Sequence, residues 1–161
     1  MVRKITINFI LIILIFLIDR ISKIFVKNLD NINNDNLIIN SFINIDLVWN
    51  RGIAFGFLSL SDKYYYNIIT LIIFFVIMIL IYLTTNNNGL KRYSYILVCG
   101  GALGNFFDRV VHSSVPDFID LNYNGFHWFI FNVADIFITI GVVCLIFNEF
   151  LINNINYDKK N

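Results

Sequence analysis

The chain has 161 residues, 58% of them hydrophobic, 17% aromatic and only 14% charged, with a formal net charge of +1. A soluble domain carries about a quarter charged residues, so this composition is built for another solvent, and its length leaves room for one domain. A near-neutral chain without a basic stripe interleaved with exposed aromatics also argues against nucleic acid as a partner.

Four apolar runs follow one another. Ile5 to Ile18 is apolar apart from Thr6 and Asn8, and an amphipathic continuation carries it to about Val26. Ile68 to Leu83 holds one aliphatic hydroxyl, Thr70; Tyr93 to Phe107 is shorter and glycine-rich; the last run begins near Val133 and ends near Ile152. A bilayer core about 30 Å thick needs roughly 20 helical residues. With their flanks, the runs predict membrane spans at about 5–26, 66–84, 93–108 and 133–152. The first run, behind Arg3 and Lys4, has the look of a secretory signal peptide. It is followed by Asp19 and Arg20 rather than a small-x-small cleavage site, which predicts an uncleaved span. Cys99 and Cys144 lie inside apolar runs with no ligand spacing and read as core or lipid-facing residues.

Loop charges orient the bundle. Arg3 and Lys4, Lys91 and Arg92, and Lys159 and Lys160 flank the runs on one side, where the only acid is Asp158. The positive-inside rule makes that side cytoplasmic, with both termini inside. The first exoplasmic connection, about 27–65, is long and asparagine-rich; the second runs from about Asp108 to Asn132. Within the first, Ile43, Ile45, Leu47 and Trp49 alternate with Asn44, Asp46, Val48 and Asn50, which predicts a half-buried strand. An apolar stretch, "NRGIAFGFLS" (50–59), follows and could cover a site opening into lipid.

Helix rise places the polar residues in depth. Asp19 lies about 22 Å beyond Lys4, and Asn105 and Asp108 about 20 to 24 Å beyond Arg92, at 1.5 Å per residue. Asp135 opens the fourth run and Asp117 sits in the second connection, so four carboxylates converge on the exoplasmic level. Ionisable groups at membrane depth are costly and mark function.

Each also has a structural reading. Asp19 and Lys23, at i and i+4, fit an ion pair. Asn105, Asp108 and Arg109 share a helix face and fit a network closing the third span. "GGALG" (100–104) fits close helix packing. Asn132, three residues before Asp135, fits an N-cap with an acid in the first turn. Asp117 after Pro116 fits a turn acid, with Asp120 as its rival. His112 and His127 read as lone loop histidines, and neither HExxH, G-x-S-x-G, a P-loop nor GxGxxG is present. Two aspartates in a partly dehydrated site suit instead a dyad sharing one proton, in which one carboxylate activates water while the other protonates the reacting group. No metal and no cofactor are needed. A small proton-coupled transporter or relay would use the same carboxylates, but spread through the membrane depth and with repeat symmetry; a non-catalytic scaffold would tolerate their loss.

The set "DRISK" (19–23), "NRGIAFG" (50–56), "GGALGNFFDR" (100–109), "VPDFIDL" (115–121) and "FNVAD" (131–135), in this order and spacing, resembles lipoprotein signal peptidase, or signal peptidase II. The resemblance covers the chain from the first span to the fourth. It implies an all-α membrane protein of four transmembrane helices, with a small exoplasmic β element and a loop covering the site. The implied enzyme is an aspartic peptidase of the bacterial inner membrane, acting as a monomer. It would cleave the signal peptide of a prolipoprotein just before a cysteine already carrying diacylglycerol. Asp117 and Asp135 match the catalytic pair; Asn50, Asn105, Arg109 and Asn132 match polar residues that line the site and position the substrate. Asp19 and Lys23 match a structural pair tying the first span to the exoplasmic strand, and Asp108 would support Arg109. Globomycin is expected in the same cleft. The chain departs from the family pattern at Pro116, at Trp128-Phe129 and at Ile136, which bears on loop geometry and substrate preference.

Overall fold

The computed structural model describes residues 2–33, 37–40, 42–52, 63–123 and 126–158. Its elements are α1 (Val2–Asn33), β1 (Leu37–Ile38), β2 (Ile43–Asn50), α2 (Lys63–Asn86), α3 (Gly89–His112), β3 (Val115–Tyr123), β4 (Phe126–Phe131) and α4 (Val133–Asp158). The four apolar runs are four long helices, each longer than its apolar stretch. The polar ends extend the helices because side chains and backbone at the membrane surface still have hydrogen-bonding partners.

The middle helix of the bundle is α3, packed against α1, α2 and α4, whereas α2 and α4 pack little on each other. Glycines permit this. A Cβ at Gly100 would lie 2.7 Å from Ile15, and one at Gly101 would lie 2.5 Å from the carbonyl oxygen of Ala134. Neither approach could be made by a larger residue, so the close-packing reading of "GGALG" holds. Ile12, Ile15, Ile77, Leu80, Ile96 and Cys99 form the buried core between α1, α2 and α3. Cys144 is half-buried on α4, as expected of a lipid-facing residue.

Among the described residues, two helical stretches, Tyr66–Asn86 and Val133–Leu151, are long and apolar enough to cross a membrane on their own. Only 17% and 11% of those stretches is buried inside the protein, so their apolar surface faces outward. That is the pattern of a helix solvated by lipid rather than of a soluble core. The other two helices, α1 and α3, carry Asp19, Arg20, Lys23, Asp108 and Arg109 among their apolar residues.

The chain doubles back at one pole through Asn87 and Asn88 into Gly89, whose φ of +57° is left-handed and suits glycine. Lys4 clamps this turn, donating to the carbonyls of Thr85 and Asn87 (2.8 Å each) and to Asn88 Oδ1 (2.9 Å). Asn8, the one amide in the first apolar run, is 3% exposed; it donates to Thr84 O (3.0 Å) and accepts from Arg92 Nε (2.7 Å).

At the other pole lies the expected small β element, larger than the alternation in the first connection announced. A four-stranded antiparallel sheet, in the order β1-β2-β3-β4, caps the bundle. Strand β2 falls where alternation placed it. The second connection, expected as a loop carrying Asp117, is the β3–β4 hairpin. Its strands run apolar and aromatic without clean alternation, because β3 is buried on both faces over most of its length. The covering loop, 53–62, and Lys159 and Lys160 lie outside the described residues.

Candidate active site

Five elements deliver polar side chains to the sheet end of the bundle: α1, β2, α3, β3 and the start of α4. Strand β3 brings Asp117, which is 4% exposed. Its rival Asp120 lies three residues on, and successive strand residues face opposite ways. Asp120 therefore faces away, where it is 2.7 Å from His127 Nδ1 and 3.4 Å from Asn44 Nδ2.

Strict alternation in β2 would put Asn50 on the Asp120 side with Asn44. It does not, because the register shifts between Ile45 and Val48. Ile45 faces Ile119 and Val48 faces Asp117, so Asp46 and Leu47 together oppose Phe118. This bulge reverses the phase of the strand, and bulges of this kind re-aim side chains beside functional sites. Asn50 thereby reaches Asp117, donating from Nδ2 to Oδ2 at 2.8 Å. Its own Oδ1 is held by the backbone N–H of Gly52 at 2.7 Å.

Asp135 arrives on the first turn of α4 by the capping arrangement read from the sequence. Asn132 Oδ1 accepts from the Asp135 N–H, and Asp135 Oδ2 accepts from the Asn132 N–H, both at 3.1 Å. Capping and site membership are thus the same geometry. Fully buried Asn132 also donates from Nδ2 to Asp117 Oδ1 at 2.5 Å, so one amide bridges the two aspartates. Asn105 Nδ2 donates to Asp135 Oδ1 at 2.8 Å. The three asparagines are engaged with the carboxylates and hold them in place.

Behind Asn105 stands a buried ionic cluster. Lys23 Nζ donates to Asn105 Oδ1 (2.9 Å), Asp19 Oδ2 (2.9 Å) and Asp108 Oδ2 (2.7 Å). Arg20 grips both oxygens of Asp108 and also pairs with Asp19 at 2.8 Å. The guanidinium of Arg20 lies over the ring of Phe107, 5.0 Å from its centroid. Asp19 Oδ1 accepts the N–H of Ala134 at 3.1 Å, so α1 caps the helix that carries Asp135. Two expectations are corrected here. Asp19 and Lys23 tie α1 to α3 and α4 rather than to the exoplasmic strand. Asp108 supports Lys23 and Arg20, not Arg109. The part played by Arg20 was missed; its place beside Asp19 in "DRISK" was the available signal.

Arg109 is 8% exposed and donates to Asn105 O and Gly52 O, both at 3.3 Å. The charges then balance in two groups. Asp19 and Asp108 offset Arg20 and Lys23, and Arg109 offsets one of Asp117 and Asp135. The remaining carboxylate is best kept neutral by a proton, since an unpaired buried charge is costly. Burial pushes the Asp117 carboxyl up to about 6, and the Asp135 charge adds to this; the Asn50 and Asn132 hydrogen bonds and the Lys23 charge oppose it. Such a pair can hold one proton near neutrality and offer both a base and an acid.

Two apolar clefts meet at Asp135. One of about 310 Å³ lies between α2 and α4 with α3 beneath, and reaches Asn105, Arg109 and Asp135 from Leu80, Val76 and Ile73. The other, of about 240 Å³, is lined by Phe129, Phe131, Asp135, Ile136, Thr139 and Ile140. Both open on the apolar flank of the protein. Among the described residues no three His, Cys, Asp or Glu side chains gather as metal ligands.

Comparison with known proteins bears on what this site serves. The family model described as Signal peptidase (SPase) II matches residues 11–151. A lipoprotein signal peptidase of Pelagibacter ubique (strain HTCC1062) is 44% identical over 155 residues, covering 96% of this chain and 93% of that protein. One from Burkholderia multivorans (strain ATCC 17616 / 249) is 36% identical over 139 residues, covering 85% and 83%. A bacterial membrane enzyme solved at 2.3 Å resolution shares the fold with a TM-score of 0.72 at 32% identity, over 90% of this chain and 88% of that one.

Proposed function

The chain belongs to the signal peptidase II family, and on that premise we propose that it removes the signal peptide from prolipoproteins as an aspartic endopeptidase. The observation that carries this is the pair of aspartates bridged by Asn132, of which Asp135 lines two apolar clefts. A transporter or proton relay has no such support: the family is a peptidase family, and the buried carboxylates gather at one pole.

In the reaction we propose, Asp117 and Asp135 share one proton. The ionised carboxylate takes a proton from water as its oxygen adds to the scissile carbonyl carbon, and the protonated partner gives its proton to the carbonyl oxygen. When the tetrahedral diol collapses, the C–N bond breaks and the proton taken from water passes to the leaving amine. Asn50, Asn105 and Asn132 position the carboxylates; Arg109 supplies positive charge beside the developing oxyanion.

The substrate is a precursor cleaved before a diacylglyceryl-modified cysteine, with no nucleic acid partner and no cofactor. An apolar signal helix suits the cleft between α2 and α4, and acyl chains suit the apolar flank. Two departures from the family pattern, Phe129 and Ile136, line the smaller cleft, where they would shape substrate preference. The basic pole, with Lys4, Lys91 and Arg92, is cytoplasmic by the positive-inside rule. The site then lies at the exoplasmic face of the inner membrane, above four spans, in a monomer; globomycin would compete there.

The test is cleavage of a diacylglyceryl precursor by purified protein, alongside Asp117→Asn and Asp135→Asn and a precursor without lipid. Wild-type cleavage before the cysteine, dependent on lipid and lost in both variants, is expected. Full activity in either variant would remove that residue from the mechanism.

A further inference from the structure

Among the described residues, two buried hydrogen-bond donors on the α2–α3 side of the candidate site have no acceptor, besides Arg20 Nε on the α1 side. The hydroxyl of Tyr66 is one and Arg109 Nε is the other, in residues only 7% and 8% exposed. A buried polar group left unpaired costs about 1–3 kcal/mol, so each calls for an explanation. The proposed chemistry uses the charge of Arg109 but gives no acceptor to either of these atoms.

Tyr66 stands in the first turns of α2. Tyr66, Thr70, Ile73, Ile77 and Leu80 recur at helical spacing along one face. Ile77 and Leu80 join α3 in the core, and the ring of Phe74 lies 6.0 Å from that of Phe106. Ile73 and Leu80 also line the cleft between α2 and α4. Tyr66 therefore extends the cleft-lining face by two turns, about 10 Å at 1.5 Å per residue, toward the pole that carries Asn105, Arg109 and Asp135. Arg109 stands seven residues beyond Ala102 on antiparallel α3, as Tyr66 stands seven before Ile73 on α2, and Ala102 and Ile73 line the same cleft, so the two donors lie at one level. Asp108 is already engaged by Arg20 and Lys23, which leaves it a poor partner.

Arg Nε only donates, and a phenol hydroxyl donates readily. The missing partner is therefore an acceptor, and a carbonyl oxygen has two lone pairs to receive both. We infer that Tyr66 is a substrate-positioning residue whose hydroxyl, with Arg109 Nε, holds a carbonyl oxygen of the bound precursor. This rests on the peptidase reading of the site. The carbonyl belongs either to the peptide backbone or to an acyl ester of the lipid, and the test separates the two.

Tyr66→Phe removes only the hydroxyl. A structural role predicts a lower thermal midpoint; a donor waiting for substrate predicts an unchanged or higher one, because a buried unpaired group is lost. We expect KM to rise about tenfold with kcat little changed, as for loss of one hydrogen bond made equally in ground and transition states. Precursors with diacyl (ester) and dialkyl (ether) glyceryl groups are compared in parallel. An equal penalty on both assigns the carbonyl to the peptide; a penalty on the ester substrate alone assigns it to the lipid. Unchanged KM for both, or activity falling with the thermal midpoint, would overturn the inference while wild-type cleavage leaves the peptidase reading standing. No cleavage by wild type would overturn both.

Discussion

The α3–α4 contact gives the sharpest mechanical prediction, through Gly101→Ala. A Cβ there would lie 2.5 Å from the carbonyl oxygen of Ala134 and 2.8 Å from Ile138 Cγ1. Ile138 can turn aside, but a backbone carbonyl cannot. Ordinary contact begins near 3.4 Å, so the helices must part locally by about 0.9 Å, the difference between 3.4 and 2.5 Å. Ala134 directly precedes Asp135, and its N–H is held by Asp19 at 3.1 Å. The same displacement takes that bond to about 4 Å, past useful hydrogen-bonding distance, and loosens the 2.8 Å bond from Asn105 to Asp135. A misplacement of this size costs on the order of 10²-fold in rate, while overpacking costs about 1–3 kcal/mol in stability. Gly141→Ala is the control. Its Cβ would meet Val98 Cγ2 at 2.6 Å and Ser94 O at 2.8 Å in the same helix interface, but well down α4 from Asp135. Initial cleavage rates and thermal unfolding in detergent should show similar destabilisation in both, with the large rate loss in Gly101→Ala alone. A Gly101→Ala protein within threefold of wild type at equal destabilisation would refute the reasoning.

Further outcomes follow from the charges. Because burial raises Asp117 to about 6 from 3.8, the folded state holds the proton more tightly than the unfolded state. The ionised carboxyl thus costs about 3 kcal/mol above pH 6. That cost disappears as pH falls through 6 to 4. Asp117→Asn should therefore abolish cleavage yet raise the thermal midpoint at pH 8, with the two proteins converging near pH 4; a lower midpoint at pH 8 would contradict the burial argument. If Asp117 carries the shared proton, kcat/KM should decline on the alkaline side of about pH 6. Asn50→Ala, which removes a donor to the Asp117 carboxylate, should move that decline to higher pH while slowing turnover, as a pH–rate series would show. Lys23→Met leaves Asp19 and Asp108 with Arg20 alone, an uncompensated buried charge worth about 3–5 kcal/mol; little folded protein should be recovered, and adding Asp19→Asn should restore part of it.

How much was legible beforehand depended on the range of the interaction. The four helices were readable because an apolar run long enough to cross a bilayer is a local property of the chain. So was the pairing of Asp19 with Lys23, at i and i+4, and the reciprocal capping of Asn132 with Asp135. The approach of α3 to its neighbours was written in Gly100, Gly101 and Gly104. Local residues also carried the resemblance that singled out Asp117.

Tertiary structure decided what depends on distant partners. Asp120 is excluded from the pair by the alternation of β3 and its contact with His127. Asn50 joins Asp117 only because the bulge at Asp46 and Leu47 reverses the phase of β2, and nothing in strict alternation announces that reversal. The β3–β4 hairpin escaped notice since β3, covered on both faces over most of its length, has no polar period, and β4 is aromatic and apolar at nearly every position. Asp108 turned out to serve Lys23 and Arg20 because helix α1 passes it in space, 85 and 88 residues away in sequence. Spacing along one helix can state which side chains share a face. Which charge each finally meets is settled by the helix packed against it, and only the folded chain supplies that.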